Sequence, residues 1–216
     1  MAAYRGYLRD FVAAREKERS EDFTSALLAI HDENPEQLTH EEIASILYSL
    51  TFAGHETTNY LIGNLVRRLL EKPARWEAVR ADHTLIAAAV EETLRYDPSV
   101  PVWRRLTTRP VTLGGVDLPE GAKLFLWLAA AGRDPEVFDD AAEFDLRRPN
   151  ARRHLAFGHG IHFCIGAALG QLEARLALDA LLERFPGLRL VPGQELGFHP
   201  NISFRGPLSL RVCTDG

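Results

Sequence analysis

The sequence is poor in residues that crosslink a chain or anchor it in a membrane. Only two of its 216 residues are cysteine, Cys164 and Cys213, and they form no Cys-x-x-Cys pair. This excludes a disulfide framework and a four-cysteine zinc site, and it favours a reducing compartment. The first residues lack the apolar core of a signal peptide, and no uninterrupted apolar run reaches the roughly 18 residues of a membrane-spanning helix. We therefore expect a cytoplasmic protein with no membrane span.

The sequence also lacks an excess of positive charge. Its 25 Lys and Arg residues stand against 30 Asp and Glu residues, which gives a formal net charge of -5. A chain of this balance is not a default partner of nucleic acid. We find no linker, low-complexity tract or internal repeat, so residues 1–216 are expected to fold as a single domain or one large lobe.

Helical patterns dominate the sequence, and short strand patterns accompany them. The predicted fold class is mainly α with small β-sheets. Thr39 and Glu42 form a capping box at the start of the longest pattern, whose centre, residues 46–53, is apolar on nearly every face, as in a helix within a core. Strands are expected between 102 and 128, around the Gly114-Gly115 turn, with a final hairpin over 200–212 and an irregular segment over 141–156. The predicted helices span residues 2–18, 22–32, 39–72, 74–81, 84–96 and 167–184.

Residues 157–166, which read FGHGIHFCIG, set Cys164 in a glycine-rich loop directly before a helical pattern. A cysteine taken alone is more often a small buried apolar residue. Here the glycines let the backbone approach a flat cofactor closely, and amide groups at a helix start stabilise a thiolate. The loop therefore favours a metal-bound thiolate.

The pattern Phe-x-x-Gly-x-His-x-Cys-x-Gly resembles the haem-binding loop of the cytochrome P450 family, in its soluble bacterial form. The resemblance implies haem b as cofactor and Cys164 as the iron ligand, with Phe157, Gly158 and Gly166 in the cofactor-binding loop. A thiolate on haem iron favours cleavage of the O–O bond. The resemblance also assigns the haem propionates to His162 and Arg105, although Arg104 beside Arg105 leaves that assignment open.

A second motif, Ala53 to Thr58, lies within the long helical pattern. The Thr57 hydroxyl can bond back to the Ala53 carbonyl one turn earlier, and Gly54 leaves room for a local opening. The plainer alternative is that glycine and threonine simply permit close helix packing. The resemblance implies that Ala53 and Gly54 face the cofactor, and that Glu56 and Thr57 deliver protons to iron-bound dioxygen.

A third motif, Glu92-Thr93-Leu94-Arg95, places opposite charges at positions i and i+3 of a helix. Such pairs are common on exposed helices and are weak signals by themselves. By resemblance this is a buried pair that locks a core helix to the irregular segment. Many relatives complete the network with an arginine where this chain has Glu143, so Arg147 or Arg148 is the expected substitute.

The resemblance covers the C-terminal, haem-binding portion of the P450 fold, and the N-terminal half is absent. It implies a monooxygenase that inserts one oxygen atom of dioxygen into an organic substrate. The resemblance places residues 100–103, 202 and 203 in the substrate pocket. Their apolar character favours a small lipophilic substrate, but it fits ordinary core packing almost as well. Electrons are expected from a ferredoxin or flavin-type donor, which Arg147, Arg148, Arg152 and Arg153 would attract.

Two other interpretations stay open. The chain is alternatively a non-catalytic haem-binding module or an inactive remnant, because half of the substrate pocket is absent. A zinc site is the other alternative, since its ligand types are acceptable. Its candidate ligands are His154, His159, His162 and Cys164.

Overall fold

The computed structural model describes residues 2–214, and helices provide most of its regular structure. The predicted helices are confirmed to within two residues at nearly every end. The α-helices are α1 (Ala2–Lys17), α2 (Phe23–Glu33), α3 (His40–Leu70), α4 (Pro73–Ala81), α5 (Leu85–Tyr96), α6 (Leu128–Ala131) and α7 (Ala167–Arg184). None of these helices is long and apolar enough to cross a membrane.

The chain divides into two compact units, and the division follows Glu56, inside helix α3. The first unit contains α1, α2 and the start of α3. Its core is built from buried side chains of all three helices, namely Leu8, Val12, Leu27, Leu28, Ile43 and Ala44. The predicted capping box is confirmed, because the Thr39 N–H donates to Glu42 Oε2 at 2.8 Å and the Glu42 N–H donates to Thr39 Oγ1 at 3.2 Å.

The centre of α3 differs from the expectation of a fully buried segment. Residues 46–48 and 50 are only half-buried, and the Phe52 side chain is exposed. An apolar helix is buried only as far as neighbouring elements cover it, and α1 and α2 pack on one side of this segment. Apolar composition therefore predicted more burial than the described residues supply.

The second unit is organised around α5. Ala89, Val90 and Leu94 of this helix are almost fully buried, and they pack in one apolar cluster with side chains of α3, α4 and α7. Trp76 of α4 is also buried, and its indole N–H donates to the Pro186 carbonyl at 3.0 Å. Helix α5 is thus the central element against which the other helices of this unit are fixed.

The strands form small antiparallel pairs rather than one sheet. Strand β1 pairs with β4, β2 with β3, and β5 with β6. Gly114 and Gly115 join β2 to β3 with positive φ at both positions, as a tight hairpin turn of this twist requires. The strands are β1 (Val102–Leu106), β2 (Val111–Leu113), β3 (Val116–Leu118), β4 (Lys123–Trp127), β5 (Arg189–Leu190) and β6 (Val212–Cys213).

The predicted final hairpin over residues 200–212 is wrong. Strand β6 pairs instead with β5, which precedes this region, and Phe198 and Pro207 form an isolated bridge. Within the segment the Asn201 side chain accepts the backbone N–H groups of Ser203 and Phe204 at 2.9 and 2.8 Å. This local turn, together with a proline that cannot donate to a ladder, prevents regular pairing.

Candidate functional site

Glu92 and Arg95 form a fully buried ion pair on α5, and both side chains have no exposed surface. The pair is bidentate, with 2.7 Å from Arg95 Nε to Glu92 Oε2 and 2.6 Å from Nη2 to Oε1. The remaining Arg95 donors bind the backbone carbonyls of Gly132, Ala141 and Glu143 at 2.6, 2.9 and 2.7 Å. The predicted connection between this helix and the irregular segment is confirmed.

Arg148 completes this network, which settles the choice between Arg147 and Arg148. Its side chain is almost buried, and Nε lies 3.2 Å from Glu92 Oε1. Further donors of Arg148 bind the carbonyls of Asp139, Asp140 and Glu143. Every charge in the network therefore has an opposite charge or a set of carbonyls beside it, as buried charges need.

Gly132 is a contributor that sequence reasoning missed. A Cβ on this residue would overlap the backbone carbonyl oxygen of Arg95. The backbone after α6 can approach α5 only because no side chain lies between them. No local pattern marks this glycine, because the contact joins residues far apart in the sequence.

The cysteine loop, residues 157–166, is a sequence of tight turns held by backbone hydrogen bonds. The Cys164 N–H donates to the Phe157 carbonyl at 2.9 Å, and the Ala167 N–H donates to the Cys164 carbonyl at 3.2 Å. Gly158 and Gly160 have φ of 75° and 73°, which side chains on L-residues rarely permit. The bonds fix the backbone on both sides of Cys164.

The Cys164 side chain is free and exposed. It therefore differs from the usual free cysteine, which is small, apolar and buried. A Cβ on Gly166 would lie 3.9 Å from Cys164 Sγ, so the glycine leaves open space beside the sulfur. The loop therefore presents a thiol to the surface with room next to it.

Large apolar side chains surround this thiol and are also exposed. The Ile161 side chain is 96% exposed, and Phe163 and Ile165 are exposed as well. The Phe163 ring contacts that of Phe157 edge-on, with centroids 6.3 Å apart. Exposed apolar groups of this size mark a place where something apolar binds.

Helix α7 begins directly after the loop and continues this apolar surface. Leu169, Leu172 and Leu176 are exposed, at helical spacings of three and four residues. We call this row the open face of α7. The opposite face is buried in the core, through Ala167, Ala174, Leu178 and Leu182.

The predicted propionate donors are placed on the surface. His162 is exposed in the short 3-10 turn Gly160–His162, and Arg105 is exposed in β1. Arg105 Nη1 donates to the Arg104 carbonyl at 2.8 Å. The assignment of His162 and Arg105 to the propionates remains a prediction.

The predicted oxygen-activation residues lie in the middle of α3. Ala53, Gly54 and Glu56 are exposed, and Thr57 is half-buried. Thr58 Oγ1 lies 3.6 Å from the Cβ position of Gly170, in the first turn of α7. The second unit thus brings Thr58 of α3 next to the helix that follows Cys164.

The zinc interpretation finds no support. Among residues 2–214 no group of three His, Cys, Asp or Glu side chains is placed to hold a metal ion. Both nitrogens of His154 are already directed elsewhere, one at the Ala156 N–H and the other at the Glu91 carboxylate.

The four predicted surface arginines are not equivalent. Arg148 is buried in the ion-pair network, whereas Arg147 and Arg153 are exposed and the Arg152 side chain is 78% exposed. Arg147, Arg152 and Arg153 are therefore exposed before the cysteine loop, and Arg152 also forms an ion pair with Glu91.

The buried ion pair, the glycine turns and the exposed thiol occur together in a mainly helical chain with small strand pairs. This chain belongs to the cytochrome P450 family. The model of that family, described as Cytochrome P450, matches residues 4–196.

Individual relatives agree with this membership. The chain is 46% identical over 214 residues to the cytochrome P450 monooxygenase PikC of Streptomyces venezuelae, covering 98% of this chain and 51% of that protein. It is 40% identical over 210 residues to the vitamin D(3) 25-hydroxylase of Pseudonocardia autotrophica, covering 95% of this chain and 51% of that protein. The structure of cytochrome P450 CREJ in complex with (4-ethylphenyl) dihydrogen phosphate matches with a TM-score of 0.95 and 41% identity, over 99% of this chain and 53% of that one. The chain thus spans about half the length of the relatives it matches.

Proposed function

We propose that this chain is the haem-binding portion of a monooxygenase that inserts one oxygen atom of dioxygen into a small lipophilic substrate. The observation that carries the proposal is the exposed Cys164 thiol. It lies in a glycine-rich loop in which the Cys164 N–H donates to the Phe157 carbonyl, and the neighbouring apolar side chains are exposed. A flat apolar cofactor with one site for a sulfur ligand fits this donor set better than an ion that needs several ligands.

The residues present fit haem b (iron protoporphyrin IX). Cys164 would bind its iron, and Phe157, Gly158 and Gly166 would form the wall beside the ring. His162 and Arg105 would donate hydrogen bonds to its two propionates. Cationic and polar side chains are suitable donors to carboxylates. When bound, thiolate-ligated haem supplies the activation of dioxygen.

Glu56 and Thr57 of α3 would deliver protons to the site. Glu56 is exposed and can exchange protons with water, while the Thr57 hydroxyl can both accept and donate a hydrogen bond. Ala53 and Gly54 carry little or no side chain and would leave room for the cofactor and dioxygen. Thr57 would orient the proton that Glu56 provides.

Turnover tests this function and separates it from its alternative. The haem-loaded chain, supplied with electrons and a chromogenic lipophilic aryl ether, should consume dioxygen and release the dealkylated product. Thr57→Ala should lower the product formed per electron and raise peroxide, with the ferric spectrum unchanged. The neighbouring Thr58→Ala is the matched control and should retain coupling. Equal coupling in all three proteins would contradict the role of Thr57.

The alternative is a non-catalytic haem-binding module or an inactive remnant. One observation favours it: apolar side chains at Phe163, Ile165 and along the open face of α7 are exposed, and the relatives have about twice the length of this chain. Haem binding through Cys164 without product in the turnover assay would support this second function.

The lipophilic substrate class rests on exposed apolar side chains and on the names of relatives. Trp103 in β1 and Ile202 are both exposed in the chain. One relative is named as a hydroxylase of vitamin D(3), which is an apolar molecule. A cytochrome P450 of this kind is expected to bind its substrate mainly by apolar contact.

An acidic ferredoxin or a flavin-type protein would supply electrons. Arg152 and Arg153 are exposed on the segment that leads into the cysteine loop, so a donor bound there would approach the sulfur side of the haem. Replacing both with glutamate should slow reduction by a ferredoxin and flatten its dependence on salt, because charge steering is lost. Unchanged reduction kinetics at low and high salt would contradict this docking site. A cytoplasmic location remains a prediction from the sequence.

A further inference from the structure

Glu91 is a second buried carboxylate on α5, next to the ion pair described above but directed at other partners. Its Oε1 accepts a hydrogen bond from Gln171 Nε2 at 3.1 Å, and its Oε2 lies 3.3 Å from His154 Nε2. Guanidinium nitrogens of Arg152 and Arg175 stay 3.7 Å from Oε1. The hydrogen-bond partners of this carboxylate are therefore an imidazole and an amide, and the two arginines form longer ion pairs with it.

The contacts of His154 define which ring nitrogen carries the proton. Nδ1 accepts a hydrogen bond from the Ala156 N–H at 3.2 Å. In the neutral ring the proton then lies on Nε2, which donates to Glu91. The His154 side chain is almost fully buried, so the ring has one fixed orientation.

His154 lies at the entrance of the cysteine loop. Its ring packs against that of Phe157, with centroids 5.7 Å apart. The Phe157 carbonyl in turn accepts the Cys164 N–H at 2.9 Å. A displacement of residues 154–157 is therefore transmitted to the Cys164 backbone through one hydrogen bond.

Gln171 lies at the exit of the same loop. It belongs to the second turn of α7, which begins at Ala167, three residues after Cys164. Because its amide donates to Glu91, one carboxylate on α5 holds the segment on both sides of the cysteine.

We propose that Glu91, His154 and Gln171 position the Cys164 ligand, and we call these three residues the Glu91 clamp. None of them touches the sulfur, so they are positioning residues that act through the backbone of Phe157 and through α7. Their effect on haem rests on the proposed function. Their effect on the loop itself does not, because the bonds are made by the chain alone.

Hydrogen exchange of the chain without haem tests the clamp first. His154→Phe keeps a ring of similar shape but removes both nitrogens, and Gln171→Leu removes the second bond. Each should raise the exchange rate of the Cys164 amide by about tenfold, the factor expected when one hydrogen bond to a charged group is lost. An unchanged rate in both variants would overturn the proposal.

Two further variants separate positioning from general loss of stability. Trp76→Phe removes one buried N–H bond in the same core, to the Pro186 carbonyl, without touching the loop. It should leave the Cys164 amide protected, and equal acceleration in Trp76→Phe would overturn the proposal. His154→Gln keeps a donor toward Glu91 and should restore part of the protection. Gln171→Leu serves as the test if His154→Phe does not fold.

A spectrum of the haem-loaded chain adds the second readout. The reduced carbon monoxide complex reports whether iron is bound by a thiolate or by a neutral thiol. His154→Phe should lower the thiolate fraction, and His154→Gln should recover it. If the wild type showed no thiolate complex, the proposed function would fail while the exchange rates still decide on the clamp.

Discussion

The wall behind the cysteine loop and the surface in front of it are built in opposite ways. Behind the loop, α5 buries three charged side chains, Glu91, Glu92 and Arg95, and each has hydrogen-bond partners. In front, the open face of α7 and the loop expose isoleucine, leucine and phenylalanine to solvent. Charges inside and apolar groups outside reverse the usual distribution. The support behind the loop thus has its charges paired and buried, whereas the surface in front leaves its apolar side chains exposed.

The largest effect should come from removing Arg95 from the buried ion pair behind the loop. Arg95→Ala leaves Glu92 buried with only Arg148 to compensate its charge, and it also removes the Arg95 donors from the carbonyls of Gly132 and Ala141. We expect the free energy of unfolding to fall by about 3–5 kcal/mol, measured by urea denaturation.

Arg80→Ala provides the control for this measurement. Arg80 pairs with Glu77 at 2.7 Å, also at i and i+3, but both side chains are about half exposed. Its loss should cost less than about 1 kcal/mol. Similar losses in the two variants would mean that burial does not distinguish these ion pairs.

A smaller difference should separate the two faces of α7. Leu178 is 1% exposed and Leu176 is 59% exposed, although they lie two residues apart on one helix. Leu178→Ala should lower the free energy of unfolding by about 2–5 kcal/mol, because it leaves a cavity in the core. Leu176→Ala should change it by no more than about 0.5 kcal/mol.

The open face of α7 should bind apolar molecules and promote self-association. Replacing Leu169, Leu172 and Leu176 together with serine should reduce binding of a dye that fluoresces on apolar surfaces, and should reduce self-association. If the serine variant bound as much dye as the wild type, this face would not be the exposed apolar surface of the chain.

The sequence was sufficient for features whose signals are local. The capping box, the helix bounds and the burial of the Glu92–Arg95 pair follow from residues three or four apart, together with the family resemblance. It was insufficient where partners are distant. Gly132 and Gln171 matter because of contacts with α5 that lie 37 and 80 residues away. Glu91 stands four residues before Arg95, on the same helical face, and this spacing is the signal that identifies it as buried.

Strand pairing and apolar burial were the weakest predictions for a related reason. Alternation over residues 200–212 fits a strand, but the Asn201 side chain accepts local backbone N–H groups, and Pro207 forms an isolated bridge with Phe198. Apolar residues at 46–53 fit a buried helix, but burial depends on what covers them. Neither property is encoded in the segment alone.

The smallest expected effect concerns an exposed contact in the first unit. The Thr39 N–H donates to the Glu42 carboxylate and lowers the pKa of Glu42 below its ordinary value of 4.5. A lowered pKa in the folded state means that the stabilisation is present above pH 4.5 and is lost as the pH falls through the folded pKa. Glu42→Gln should therefore weaken the loss of stability on acidification, measured by thermal unfolding from pH 6 down to about pH 3. Glu36→Gln, an exposed carboxylate in the preceding loop, is the control, and an equal change there would contradict the role of the capping bond.

The most direct test of the central claim is the spectrum of the reduced carbon monoxide complex in three forms of the haem-loaded chain. Wild type and Cys213→Ser should both give the spectrum of a thiolate-bound iron, because Cys213 lies in β6, outside the loop. Cys164→Ser should lose that spectrum. The same spectrum in Cys164→Ser as in wild type would show that the exposed thiol is not the haem ligand and would contradict the account.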